Sequence, residues 1–168
     1  IKCWRSLGNQ HAIDYRKANG LEIDSAAMGV VVQQLVFADV SAVAFSANPI
    51  NGNRDEVVIN ANFRLGEAVV GGLATPDTIV VNRNDFSKQT LTIGAKEIMT
   101  VRTKNGTDEK PVPRIMRGMP ALTAIQASEI AALVVKLENH NGWPVDVELA
   151  IHDSQLYLLQ CRPITTLT

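Results

Sequence analysis

A chain of 168 residues is long enough for one domain with a hydrophobic core, and 46% hydrophobic with 20% charged residues is typical of a soluble globular protein. The formal net charge of -1, without a cluster of basic residues, argues against nucleic acid or a membrane surface as the main partner. Cys3 and Cys161 lack metal-ligand spacing and predict reduced thiols in the cytoplasm. The sequence shows neither a signal peptide nor a membrane span. Because the chain opens on Ile1 and not on Met, we expect a fragment of a larger protein.

The first part of the chain predicts a helix followed by a hairpin. Residues 6–17 have an amphipathic pattern that ends before Asn19-Gly20. The β-branched run 28–36 predicts a buried strand, and residues 40–45 predict a second strand that pairs with it. Gln33 inside the first run would then need a hydrogen-bonding partner or a ligand.

The middle of the chain predicts further short strands, which are residues 55–62, 77–82, 89–93 and 96–102. Residues 65–72 predict a glycine-bounded helix or turn that matches neither the P-loop nor the dinucleotide fingerprint. Residues 104–110 predict a polar, flexible loop, and residues 112–114 an extended segment.

A long amphipathic helix is predicted over residues 123–140. Thr123 and Gln126 have the spacing of a capping box, and Asn141-Gly142 stops the helix. The predicted apolar face consists of Ile125, Ile130, Leu133, Val134 and Leu137. Together these elements predict an α+β fold with a mostly antiparallel sheet and two principal helices.

The last thirty residues predict a β-hairpin, with alternating runs 145–151 and 155–163 around a short loop. A turn centred on Ser154 places Glu148 opposite Gln160 and Asp146 opposite Arg162. Strict alternation also puts Leu156 and Leu158 on the face of Gln160 and Arg162.

Such a patch combines two carboxylates, an amide oxygen and a guanidinium. Acidic and amide oxygens can hold Mg²⁺ beside substrate phosphates, and an arginine can neutralise phosphate oxygens. Surface hairpins also carry charged cross-strand pairs with no ligand, which stabilise by only a few tenths of a kcal/mol. The pattern alone leaves both interpretations open.

Six stretches in order resemble a known family: VVVQQLV (30–36), VSAVAFSANPINGNRDEVVINA (40–61), LGEAVVGG (65–72), TPD (75–77), DVELA (146–150) and YLLQCRPIT (157–165). They are similar to the ATP-binding domain shared by phosphoenolpyruvate synthase, pyruvate phosphate dikinase and rifampicin phosphotransferase, specifically to its C-terminal half. The resemblance covers nearly all of residues 1–168. It implies the ATP-grasp fold, in which ATP lies between two lobes.

The resemblance also implies the cofactors ATP and Mg²⁺ and the roles of individual residues. In the family, ATP is cleaved to AMP and phosphate, and the β-phosphoryl group passes to a histidine on a separate swivelling domain. The implied nucleotide-contacting residues of the hinge are Gln33, Gln34, Leu35 and Val36. The implied metal ligands are Glu148, Gln160 and Asp146. Arg162 and Glu148 carry the implied catalytic role, and Arg54 and Glu67 also fall in nucleotide-binding motifs.

The chain departs from the family pattern in two ways. Arg64 stands where the family usually has a glycine, before Leu65-Gly66-Glu67. The N-terminal lobe, the phosphohistidine domain and an acceptor domain have no counterpart here, and His11, His140 and His152 lie outside any phosphohistidine-like motif. We therefore expect an ATP-Mg²⁺-binding lobe that is inactive alone.

The alternatives are a lobe of a rifampicin-type antibiotic phosphotransferase, a non-catalytic nucleotide-binding or interaction module, and a purely structural β-rich domain. The final phosphoryl acceptor and the oligomeric state are not encoded in these residues.

Overall fold

The computed structural model describes residues 2–22, 26–67, 71–72, 74–86, 89–104 and 106–165. The chain forms two compact units, Ile1–Leu35 and Val36–Thr168. Within the described residues, no helix is both long enough and apolar enough to cross a membrane.

The first unit contains two short α-helices, α1 (Lys2–Arg5) and α2 (Gln10–Ala18), separated by a 3₁₀ turn over Ser6–Gly8. The helix predicted over residues 6–17 is therefore confirmed only from Gln10 onwards. α2 has nine residues and buries none of them, so it is not a principal helix in the sense predicted.

The buried strand predicted over residues 28–36 is wrong. This segment has no regular secondary structure, and Val31 and Val32 are 86% and 96% exposed. A β-branched run becomes a strand only where a neighbouring strand satisfies its backbone groups. The described part of this unit holds no such neighbour.

The second unit contains a six-stranded sheet and a separate two-stranded sheet. The strands in chain order are β1 (Val40–Phe45), β2 (Glu56–Phe63), β3 (Asp77–Asn82), β4 (Gln89–Thr92), β5 (Ile98–Thr103), β6 (Gly106–Pro111), β7 (Val145–His152) and β8 (Gln155–Pro163). The large sheet has the order β4-β3-β2-β1-β7-β8 with every pair antiparallel, and β5 pairs only with β6.

Two sequence-based expectations about these strands are wrong. β1 pairs with β2 and β7, so it forms no hairpin with residues 28–36. Most of the predicted loop 104–110 belongs to β6, whose residues are all exposed. Backbone pairing to β5 makes this polar segment a strand, which no hydrophobic pattern could indicate.

Two helices follow β6, namely α3 (Arg114–Arg117) and α4 (Ala124–Asn141). α4 covers one face of the large sheet and buries Ala127, Ile130, Ala131 and Val134. Its capping box of Thr123 and Gln126 is confirmed. Ile125, expected on the apolar face, is 73% exposed. Residues 112–114 were expected to be extended, but α3 begins at Arg114.

The core lies between α4 and one face of the sheet, which we call the helix face. Alternate residues of the central strands point to it, including Ala42, Ile59, Val147 and Leu149. The predicted α+β class with an antiparallel sheet is confirmed. The other face of the same strands, which we call the open face, carries the predicted site.

Candidate functional site

The hairpin of β7 and β8 brings Glu148 opposite Gln160, as predicted, but through a different geometry. The loop is the two residues Asp153-Ser154, which have φ values of 48° and 63°. Positive φ at both positions is the pattern of a type I′ turn. This shorter loop would misalign the strands by one residue, and a bulge at Leu159 restores the register at Gln160.

The bulge reverses part of the predicted face assignment. Leu158 pairs with Leu149, a residue of the helix face, whereas Gln160 pairs with Glu148 on the open face. Leu156 and Leu158 therefore do not share a face with Gln160, contrary to the prediction. Strict alternation failed because it allows no extra residue in a strand.

Asp146 and Arg162 form the second cross-strand pair on the open face. Arg162 Nε donates to Asp146 Oδ2 at 2.8 Å. The arginine side chain is 52% exposed and that of the aspartate only 12%. Asp146 Oδ1 is buried and has no hydrogen-bond partner among the described residues. A buried carboxylate oxygen without a donor is the feature that a cation would satisfy.

Glu148 and Gln160 complete this patch, which we call the hairpin patch. Glu148 is half-buried and Gln160 is exposed. Neither side chain has a protein partner within the described residues. The hairpin patch thus offers three oxygen-bearing side chains and one guanidinium, and the orphaned Oδ1 of Asp146 is of the chemical type that binds a divalent cation such as Mg²⁺.

An apolar cluster adjoins the hairpin patch along the same two strands. Ala150, the next open-face residue of β7 after Glu148, packs in a buried cluster with Ala38 and Leu65. Tyr157 and Leu159 of β8 cover this cluster, together with Val36, the last of the four predicted hinge residues. A polar patch beside an apolar one suits a ligand with a charged part and a flat apolar part.

The other three predicted hinge residues, Gln33, Gln34 and Leu35, belong to the first unit. All three are exposed, and Leu35 is 48% exposed. Gln33 was expected inside a buried strand. This expectation is wrong, because residues 28–36 form no strand.

Arg54 and Glu67 lie at opposite ends of β2, so the structure does not bring them together. Arg54 is exposed in the loop before the strand, and Glu67 follows its far end. Thr107 Oγ1 of β6 donates to Glu67 Oε2 at 2.9 Å, so this carboxylate is already engaged. Arg54 lies beyond the end of the sheet where Asp146 and Arg162 pair, because β1 and β2 are antiparallel.

Arg64 has a left-handed backbone, a conformation that glycine adopts more easily than any other residue. Its φ is 67°, a conformation that costs a non-glycine residue about 1–2 kcal/mol. Its Nη1 donates to Asp39 Oδ1 at 3.2 Å. The pKa of Asp39 is lowered, chiefly because the backbone N–H of Asp153 donates to its carboxylate, with His152 and Arg64 adding smaller effects and burial opposing them.

Sequence reasoning did not single out a polar pair on the open face of β2 and β3. Thr78 Oγ1 donates to Asn60 Oδ1 at 3.0 Å, and the two residues are register partners. Asn60 alternates with buried Ile59 and Ala61, a pattern that indicates an open-face position. Only the strand order places this pair near the hairpin patch.

Comparison with known proteins identifies relatives over nearly the whole chain. The family model described as pyruvate phosphate dikinase, AMP/ATP-binding domain, matches residues 1–168. The chain is 43% identical over 166 residues to an uncharacterised phosphotransferase of Bacillus subtilis. It is 39% identical over 175 residues to the phosphoenolpyruvate synthase of Pyrococcus furiosus, and 37% identical over 166 residues to a rifampicin phosphotransferase of Streptomyces sviceus.

These matches cover 99% of the chain and 20%, 21% and 19% of the respective relatives. The chain thus spans about a fifth of the length of the curated relatives it matches. A family match over residues 1–168, on a fold whose open face carries a carboxylate and guanidinium patch, identifies this chain as a member of the pyruvate phosphate dikinase AMP/ATP-binding domain family.

Proposed function

We propose that this chain is the C-terminal lobe of the ATP-grasp domain of a dikinase-type phosphotransferase similar to phosphoenolpyruvate synthase. The whole enzyme would cleave ATP to AMP and phosphate and pass the β-phosphoryl group to a histidine on another domain. Its N-terminal ATP-grasp lobe and its swivelling phosphohistidine domain would then be partners within one polypeptide. The observation that carries the proposal is the hairpin patch, in which Asp146 keeps a buried oxygen without a donor.

Each residue of the hairpin patch has a role that its environment supports. Glu148, Gln160 and Asp146 Oδ1 would hold Mg²⁺, which when bound supplies positive charge to the phosphate chain. Among the described residues, Arg162 donates only through Nε, to Asp146, so its terminal nitrogens would be available for phosphate oxygens. Phosphoryl transfer depends mainly on such positioning and charge stabilisation.

The neighbouring apolar cluster would take the nucleobase. Val36 packs there against Ala38 and Leu65, beside the hairpin patch. Gln33, Gln34 and Leu35 belong to the first unit, and their role as nucleotide-contacting residues is proposed from the family resemblance alone. Arg54, beyond the end of β2 nearer Asp146, remains a proposed nucleotide-binding residue, whereas Glu67 lies beyond the opposite end and already accepts from Thr107. The enzyme would be cytoplasmic, as the cysteine usage of the sequence predicts.

A rifampicin-type phosphotransferase is the second candidate for the whole enzyme. The chain is nearly as similar to the Streptomyces sviceus rifampicin phosphotransferase as to the Pyrococcus furiosus phosphoenolpyruvate synthase. The acceptor would be bound by a part of the polypeptide outside these residues, so the hairpin patch serves either reaction.

The decisive experiment is a titration of the full-length protein with ATP at saturating Mg²⁺. Glu148→Ala should weaken ATP binding about tenfold or more, because a charged ligand interaction contributes about 1.5–3 kcal/mol. Glu109→Ala is the matched control, since Glu109 is an exposed acid on β6. Equal ATP affinity of Glu148→Ala and wild type would favour the non-catalytic interaction module.

An assay of the isolated chain tests the expectation that this lobe is inactive alone. Loss of half of the phosphate-binding groups should abolish turnover, because removing a single stabilising donor already costs about 3 kcal/mol. Steady AMP formation from ATP by residues 1–168 alone would contradict this expectation.

A further inference from the structure

A row of side chains on the open face continues from the hairpin patch across the sheet. Gln160 pairs with Glu148, which pairs with Val43 of β1. Val43 in turn pairs with Asn60 of β2, and Asn60 pairs with Thr78 of β3. Register partners in adjacent antiparallel strands point to the same face. Five strands thus present one row, which is polar except at Val43.

Hydrogen bonding orients the carboxamide of Asn60 within this row. Thr78 Oγ1 donates to Asn60 Oδ1, so the oxygen of the amide points toward β3. Because Nδ2 diverges from the same carbon as Oδ1, it is directed away from the Thr78 hydroxyl. Within the described residues, Asn60 Nδ2 donates no hydrogen bond.

Val43 explains why the sheet itself cannot satisfy that donor. The side chain of Val43 has neither donor nor acceptor, so it cannot satisfy Asn60 on one side or Glu148 on the other. Glu148 and Asn60 lie two strand spacings apart, or about 9.6 Å between backbones. A ligand held by Glu148 and extending over Val43 would reach Asn60 Nδ2.

We propose that Asn60 is a further ligand-binding residue of this site, whose Nδ2 donates to a phosphate oxygen bound above Val43. The inference rests on the proposed function of the hairpin patch and extends that site by two strands. The oxygen belongs either to the phosphate chain of the nucleotide or to free inorganic phosphate. Thr78 is a positioning residue, because its hydroxyl keeps the amide donor directed toward the ligand.

Asn60→Asp in the full-length protein tests the proposal. The carboxylate has the shape of the amide and can still accept from Thr78, but it offers an anion where Nδ2 donated. The affinity for ATP and that for inorganic phosphate are each measured, with adenosine as the ligand that lacks phosphate. We expect at least a tenfold loss for one phosphate ligand and an unchanged affinity for adenosine.

The two phosphate measurements identify the source of the oxygen. A loss for ATP assigns the nucleotide chain, and a loss confined to inorganic phosphate assigns the free ion. Asn84→Asp is the matched control, since it introduces the same charge at an exposed turn. Unchanged binding of both ATP and phosphate by Asn60→Asp would overturn the proposal.

Thr78→Val provides a second variant that adds no charge. Loss of the orienting hydroxyl should weaken the same phosphate ligand about two- to tenfold, the range of a neutral hydrogen bond. If Thr78→Val lowers the thermal midpoint but leaves the ratio of phosphate-ligand affinity to adenosine affinity unchanged, the pair of Thr78 and Asn60 is only structural. That result would overturn the assignment of Thr78 as a positioning residue. Glu148→Ala separates the proposed function of the hairpin patch from the proposed role of Asn60. If Glu148→Ala weakens ATP binding and Asn60→Asp weakens binding of neither phosphate ligand, only the role of Asn60 is refuted.

Discussion

Two aspartate–cation pairs of the second unit differ in how fully each carboxylate is satisfied. Asp77 and Lys96 are both fully buried and form an ion pair. Asp77 also accepts from the backbone N–H groups of Gly94 and Ala121, at 2.9 and 2.7 Å, so both of its oxygens have donors. Asp146 bonds to the half-exposed Arg162 through one oxygen and leaves the other without a donor.

This difference separates a structural pair from one suited to a ligand. The Asp77 pair connects β3, the segment after β4 and the segment before α4, and it leaves no group for a ligand. Gly94 is required there, since a Cβ at this position would lie 2.1 Å from the carbonyl oxygen of Pro76. At Asp146, one carboxylate oxygen lacks a donor and the guanidinium of Arg162 is half-exposed, so both groups keep unused hydrogen-bonding capacity.

The largest expected effect is that of Asp77→Ala on stability. The substitution leaves the ammonium group of Lys96 buried without its counter-ion, and breaking a buried pair in this way costs about 3–5 kcal/mol. Urea denaturation measures the free energy of unfolding, with Asp108→Ala on exposed β6 as the control. A loss below about 1 kcal/mol would show that the two pairs are energetically alike.

Asp146→Asn should have a smaller effect on stability, within about 1 kcal/mol, because the half-exposed Arg162 can return to water. The same substitution should weaken ATP binding in the presence of Mg²⁺ at least tenfold. Thermal unfolding and an ATP titration on one preparation test both expectations. A destabilisation as large as that of Asp77→Ala would mean that Asp146 is structural.

The smallest effect concerns Cys161, which follows Gln160 in β8. Burial raises the pKa of the Cys161 thiol, and the negative charge of Asp146 raises that pKa further. A raised pKa reduces the thiolate fraction at a given pH and slows alkylation. Asp146→Asn should therefore accelerate alkylation of Cys161 by less than tenfold in a Cys3→Ser background at pH 8. An unchanged alkylation rate would show that the charge of Asp146 does not affect the pKa of the Cys161 thiol.

Local sequence patterns predicted much of the second unit. The capping box of Thr123 and Gln126 and the stop at Gly142 are local signals, and the structure contains both. β3 matches its prediction fully, because its alternating burial is visible in the sequence. The pairings of Glu148 with Gln160 and of Asp146 with Arg162 were also predicted. The actual turn is one residue shorter than the predicted one, and the bulge at Leu159 adds one residue to β8, so the two differences cancel.

Non-local features escaped prediction. Residues 28–36 have strand propensity, but the described part of their unit provides no partner. The polar and charged residues of β6 have little strand propensity, but β5 supplies the backbone hydrogen bonds that make this segment a strand. In both cases, backbone pairing outweighs composition.

By itself, the sequence determined the long helix, the strand-rich second unit and the chemical identity of the hairpin patch, because caps, alternation and side-chain type act over a few residues. Only the tertiary structure decided that both carboxylate oxygens of Asp77 have hydrogen-bond donors while one oxygen of Asp146 has none. It also decided that Asn60 lies in the same row of side chains as Glu148. Hydrogen-bond saturation and cross-strand proximity depend on residues distant in the chain, and strand order alone brings them together.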